Sequence, residues 1–212
     1  NGHLRYVWRL PAVLIALAAA AIVHPLDAEE ASPERSAVDL MTPEADVLRS
    51  ETYNGSYFYR CNVTRKPTDN VEFRRALALA IDQETIVKYV TRGGQVPAYG
   101  FTPPAEGGYD PPRMIGFDPE KAREHLRKAG YASGKDVPEF TVFFNTLESH
   151  RNIAVAIQDM WKKHLGIEKV KIENQEWKVF QQTTQDLRYD VSRAGWIGDY
   201  VDPYTFLSIW RT

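Results

Sequence analysis

The chain has 212 residues, of which 43% are hydrophobic, 25% charged and 12% aromatic, a balance that excludes a disordered segment and suffices for a substantial core. Lys and Arg number 26 against 28 Asp and Glu, so no global field attracts polyanions, and nucleic acid is not an expected partner. A lone cysteine, Cys61, permits neither an internal disulfide nor a cysteine-based zinc site, and the first residue, Asn1, fits a fragment or processed product.

Arg5 and Arg9 precede a charge-free run from Ala12 to Val23. The run is shorter than the roughly 20 residues a membrane-spanning helix needs. It suits the apolar part of a secretory signal, although no small-x-small cleavage site follows, and it suits an internal Ala-rich helix equally well. Residues 27–50 carry Pro33, Pro43 and seven Asp or Glu and read as a connector. The region 1–50 is therefore expected to be an N-terminal segment ahead of an α/β domain over 51–212.

From Tyr57 to Val63 the residues are aromatic and β-rich, which predicts a strand. Asp69 is expected to cap a helix carrying Val71, Ala76, Leu77, Ala80 and Ile81, and Asp82 to open a second through Ile86, Val87 and Val90 that stops at Gly93-Gly94. Between Gly93 and Gly116, eleven of 24 positions are Gly or Pro, so a long ordered loop is expected, functional or simply packed over the core. Asp118-Pro119 and Gly130 bound a helix over 119–129. Then follow a strand at 139–144, a helix at 149–165 ended by Gly166, a strand at 169–173, a helix at 177–186 and a strand at 189–196. Strands alternating with helices imply right-handed crossovers and parallel pairing, hence an α/β fold.

Ligands of open parallel sheets sit beyond the carboxyl ends of the strands. Three segments fall there, offering Asn145, His150, Asn174, Glu176, Trp177, Trp196, Asp199, Tyr200 and Asp202. The set is rich in flat aromatics and hydrogen-bonding groups and holds no nucleophile in a recognised setting. Trp177 and Trp196 fit a ligand wall or core packing. Asp199 and Asp202 fit a site or turn caps, the cap being favoured for Asp202 before Pro203. Arg193, in a mostly apolar strand, needs a partner, either a structural carboxylate or a ligand's. His150 near a helix start reads by itself as a surface polar residue. The sequence contains no serine-hydrolase elbow, zinc-protease helix, dinucleotide fingerprint or phosphate loop, and the five histidines lack metal-ligand spacing, so no cofactor and no enzyme activity are expected. Asn54-Gly55-Ser56 and Asn62-Val63-Thr64 match the glycosylation sequon.

Five stretches occur in a shared order: Arg74 to Asp82 (RRALALAID), Pro97 to Pro104 (PAYGFTPP), Phe117 to Ala122 (FDPEKA), Glu173 to Trp177 (ENQEW) and Arg193 to Tyr200 (RAGWIGDY). Together they resemble the extracytoplasmic solute-binding proteins of peptide ABC importers, the oligopeptide and dipeptide binding proteins. The resemblance implies a periplasmic-binding-protein-like lobe of the type II, peptide-binding class, with a mixed, partly parallel sheet flanked by helices. It also implies an incomplete two-lobed fold: the chain matches much of the second lobe and stops, at Thr212, where that lobe continues. Ile22 to Leu26 resembles the segment before the second lobe, which favours an internal helix over a signal. The implied function is capture of oligopeptides in an interlobe cleft and delivery to membrane permease subunits, by a periplasmic or otherwise extracytoplasmic monomer. The resemblance assigns Asp199 to the peptide α-amino group and Arg193 to the carboxylate of a short peptide. His150 and Asn145 fall at the far end of the cleft, and Trp177 and Trp196 wall the side-chain pockets. The competing readings are a hydrolase using a carboxylate pair, Glu176 with Asp199 or Asp199 with Asp202, and a ligand-responsive receptor ectodomain.

Overall fold

A computed structural model of the chain describes residues 12–16, 54–104 and 108–211. Among the described residues five strands form one mixed sheet in the order β1-β2-β5-β3-β4. The strands are β1, Ala12–Ala16; β2, Gly55–Asn62; β3, Phe140–Asn145; β4, Val170–Gln175; and β5, Val191–Ile197. β3 pairs in parallel with both β4 and β5, as alternation of strands and helices requires, while β2 runs antiparallel to β5 and β1 antiparallel to β2. The carboxyl ends of β3, β4 and β5 therefore lie at the same end of the sheet as the start of β2.

Ala12–Ala16 departs from the expected helix or signal-like run. Its Ala-Val-Leu-Ile-Ala sequence extends along β2, where the ladder supplies backbone partners that an isolated five-residue helix would lack. The remainder of that run, and the connector at 27–50, lie outside the described residues.

The helices are α1, Val71–Leu79; α2, Gln83–Thr85, continued by a π-helix over Ile86–Thr91; α3, Pro119–Lys128; α4, Glu148–Leu165; α5, Trp177–Gln185; and α6, Tyr204–Leu207. Their ends follow local chemistry. Asp82 accepts from Thr85 N at 3.0 Å and Asp118 from Lys121 N at 3.0 Å, as expected of these caps. At α1 the cap is Asn70 rather than Asp69: Asn70 Oδ1 accepts from Glu72 N at 2.8 Å, while the Asp69 carbonyl receives Arg74. The π-helix stops with Arg92, not glycine, in the left-handed region at φ 52°, its N–H reaching back to Val87 O.

Period-two alternation sorts the strand residues between two layers. Tyr59 and Cys61 of β2 and Phe140, Val142 and Phe144 of β3 face one side, where Phe73, Leu77, Ile153, Ile157 and Trp161 complete the main core. Trp161 fixes α4 to α1 by donating its indole N–H to Leu77 O at 2.9 Å. Phe143 faces the other side and packs with Phe180 of α5 and Tyr189. Residues 93–104 and 108–116, the described part of the stretch, form the loop expected of their Gly and Pro content, anchored by Phe101, which meets Phe58, Phe206 and Trp210 edge to face. The sequon asparagine Asn62 is buried and donates its side-chain amide to Leu187 O and Tyr189 O at 2.8 and 3.0 Å, so that nitrogen is committed to the fold.

Candidate functional site at the strand ends

Arg193 is the centre of the site. β5 pairs Tyr57 with Gly195 and Tyr59 with Arg193, so Arg193 and Tyr57 stand on the same face, and the guanidinium lies over the Tyr57 ring at 5.0 Å from its centroid. Arg193 Nη1 donates to Asn145 Oδ1 at 3.3 Å, while its buried Nε has no acceptor. Among the described residues no carboxylate lies within ion-pair distance, so the first of the two partners weighed for Arg193, a structural carboxylate, is absent there, and Arg193 is held by an amide and an aromatic face.

His150 closes the cluster from the first turn of α4. Its Nδ1 lies 3.4 Å from Tyr57 Oη, and the two rings are 5.5 Å apart. His150 is only 7% exposed, which corrects its reading as a surface residue: the first turn of α4 is laid against the start of β2. Burial and the neighbouring Arg193 cation depress its pKa to about 4, so the imidazole is neutral at physiological pH. Burial raises the Tyr57 phenol above its ordinary range, the Arg193 cation offsetting part of this, and the phenol stays protonated. The cluster thus carries one positive charge at neutral pH. Tyr57 reads in the sequence as one aromatic of a strand, and only the β2–β5 register shows that it holds both Arg193 and His150.

The remaining candidates stand at the same end of the sheet without joining this cluster. Trp196 is paired with Ser56 and, three residues from Arg193, belongs to the opposite face of the sheet; it is half-buried and its indole N–H has no acceptor. Trp177 opens α5, 48% exposed, and stacks on Phe180, which stacks on Phe143. It is neither core nor isolated: one face is supported by a buried aromatic ladder. Asp199 is exposed on the turn after β5, its N–H bound to Thr205 Oγ1 at 3.0 Å and its carboxylate free of protein partners among the described residues. Asp202 caps the following turn through Tyr204 N at 2.7 Å, as its position before Pro203 suggests. Glu176 accepts from Lys178 N at 2.9 Å as the cap of α5, and Asn174 accepts from Thr146 Oγ1 at 2.8 Å. Tyr200 is exposed. No group of three or more metal-ligating side chains occurs among the described residues, and no helix there is long and apolar enough to cross a membrane.

Comparison with known proteins gives the family and the fold. Residues 16–212 match the family described as bacterial extracellular solute-binding proteins, family 5 Middle. The chain belongs to this family. It is 38% identical over 171 residues to the oligopeptide-binding protein OppA of Bacillus subtilis, an alignment covering 77% of this chain and 31% of that protein. It is 34% identical over 190 residues to the periplasmic murein peptide-binding protein MppA of Escherichia coli, covering 87% and 35%. Among solved structures, a periplasmic oligopeptide-binding protein of Borrelia burgdorferi superposes with a TM-score of 0.71 at 39% identity, over 76% of this chain and 32% of that one. OppA of Haemophilus influenzae in complex with the peptide RPPGFSPFR superposes with a TM-score of 0.67 at 37% identity, over 75% and 32%. The chain thus spans about a third of the length of these relatives, and its fold is that of the type II peptide-binding class. The comparisons give the carboxylate-pair hydrolase no support.

Proposed function

We propose that this chain is the peptide-binding second lobe, over residues 51–212, of an extracytoplasmic solute-binding protein that captures oligopeptides and passes them to the permease subunits of an ABC importer. The protein acts as a monomer and without catalysis. The observation that supports this reading is the state of the strand-end groups among the described residues: a cation held by Tyr57 and Asn145 with no carboxylate beside it, and an exposed Asp199 carboxylate with no cation beside it. A peptide of any sequence offers one charge of each sign at its ends and a constant backbone between, which suits recognition by separated, locally unbalanced charges. In this reading Asp199 receives the α-amino group and Arg193 the carboxylate of a short peptide. Asn145 and His150 line the far end, and Trp177 and Trp196 wall the side-chain pockets. Glu176 is occupied in capping α5, which leaves a Glu176–Asp199 hydrolytic pair without support.

The test is mass spectrometry of the small molecules retained when the full-length protein is purified. Oligopeptides are expected, and Asp199→Ala is expected to lose them. A retained solute that is not a peptide overturns the substrate class, and unchanged retention by Asp199→Ala removes that residue from the site.

A further inference from the structure

Arg193 is half-buried and supplies the positive charge of the strand-end cluster. A cation so placed is ordinarily held by a carboxylate, which orients the guanidinium and cancels its charge at the same time. Here orientation and neutralisation are separated. Nη1 donates to Asn145 Oδ1 at 3.3 Å, and the guanidinium carbon lies 5.0 Å from the centroid of the Tyr57 ring. Both partners attract a cation, one through a carbonyl dipole and the other through a ring quadrupole, and neither bears a charge. Nε is sealed within the protein, whereas Nη2 stands over the exposed Gly195, toward the carboxyl end of β5.

Each holder is itself fixed. Asn145 is the last residue of β3, in register with Gln175 of β4, and the pairing runs on past it, Thr146 N donating to Gln175 O at 2.8 Å. Its amide oxygen faces Arg193 because a guanidinium offers donors only. Tyr57 packs on the buried rings of Tyr59 and His150, with centroids 5.9 and 5.5 Å away. An aspartate at 145 has the shape of asparagine and the same reach to Nη1, and differs in bringing a negative charge. With it the guanidinium is already paired, and a second anion gains little by approaching.

We propose that Asn145 and Tyr57 are positioning residues that aim Arg193 without neutralising it, and that the uncharged side chain at 145 is what lets the site select a ligand carboxylate over an uncharged chain end. The inference rests on the peptide reading above, in which Arg193 receives the carboxylate of a short peptide, and adds the residues that keep that cation available.

The experiment is calorimetric titration of the full-length protein at neutral pH with di-, tri- and tetra-alanine, each as the free acid and as the C-terminal amide. At the length whose end reaches Arg193, the acid is expected to bind about ten-fold more tightly than the amide, the scale of one charge-assisted hydrogen bond, and Arg193→Gln to abolish that preference. Asn145→Asp is expected to bring the acid-to-amide ratio at that length close to one, the acid losing the affinity. A residue that only supported the fold would weaken both ligands together and leave the ratio at its native value, and that result overturns the proposal for Asn145. Tyr57→Leu is expected to lower the ratio about three-fold, as loss of one cation–π contact does, and Tyr57→Phe, which keeps the ring, to restore it. Equal ratios in Tyr57→Leu and the native protein remove Tyr57 from the proposal. Should Asn145→Asp fail to fold, the two Tyr57 variants decide. If the peptides bind but the acid preference is absent, or survives Arg193→Gln, the assignment of Arg193 to the carboxylate fails and this inference with it, while peptide capture stands. If no peptide binds, the peptide reading itself fails.

Discussion

His150 couples the site to stability through its proton. With its folded pKa depressed to about 4 against an ordinary value of 6.5, the unfolded chain binds the proton more readily than the folded one. The stability this buried neutral ring supports is fully present above pH 6.5 and is lost as pH falls through the interval down to 4. Across that window the loss amounts to roughly 3 kcal/mol, at about 1.4 kcal/mol per pKa unit. Urea midpoints measured from pH 7 to pH 4 are expected to fall more steeply in the native protein than in His150→Gln, which cannot take up the proton. Because the Arg193 cation contributes to the depression after burial, Arg193→Gln should move the His150 titration upward when followed by NMR. An unchanged titration would mean that burial alone sets it. Cys61, at the other end of β2, shows burial without function: its thiol is pushed up to about 12, so alkylation by iodoacetamide is expected only after unfolding.

Two glycines show how a local rule and a tertiary one differ. Gly166 ends α4 with φ at 72°, the left-handed conformation that a residue without a side chain adopts most easily, and its role is readable from its place after Leu165. Gly134 has no such signature. A Cβ there would stand 2.3 Å from Leu165 O and 2.3 Å from Gly166 C, because the short turn after α3 lies directly on the end of α4. Gly134→Ala forces backbone apart, and chemical denaturation is expected to show a loss of about 1–3 kcal/mol, the scale of overpacking. The same division explains what the sequence made legible. Caps at Asp82 and Asp118, the alternation in Phe140–Asn145 and the helical face of Ile153, Ile157 and Trp161 are local patterns, and they hold. The burial of His150 and the grip of Tyr57 on Arg193 depend on which strands and helices become neighbours, and no window of the sequence contains that. Ala12–Ala16 is the opposite case, where the edge of β2 overrides a run whose composition also suits a helix.

At the scale of the molecule, the strand-end face is left open. Trp177, Ile197, Tyr200, Val201, Tyr204 and Leu207 are all at least 48% exposed around the carboxyl end of the sheet. Isolated exposed hydrophobics need no explanation, but a group of them gathered beside Arg193, Trp196 and Asp199 marks a surface built to be covered. The relatives are about three times as long as the aligned region, so in them this face has a further part of the same chain available to meet it. A ligand held on one face only keeps much of its surface in water, and the desolvation that would strengthen the charge contacts proposed at Asp199 and Arg193 is lost. The 212-residue chain by itself is therefore expected to bind oligopeptides weakly or not at all, whereas the full-length protein, on the proposed function, is expected to retain them. Calorimetry on the two forms with the same peptide makes the comparison, and micromolar binding by the 212-residue chain would show that this lobe carries a complete site.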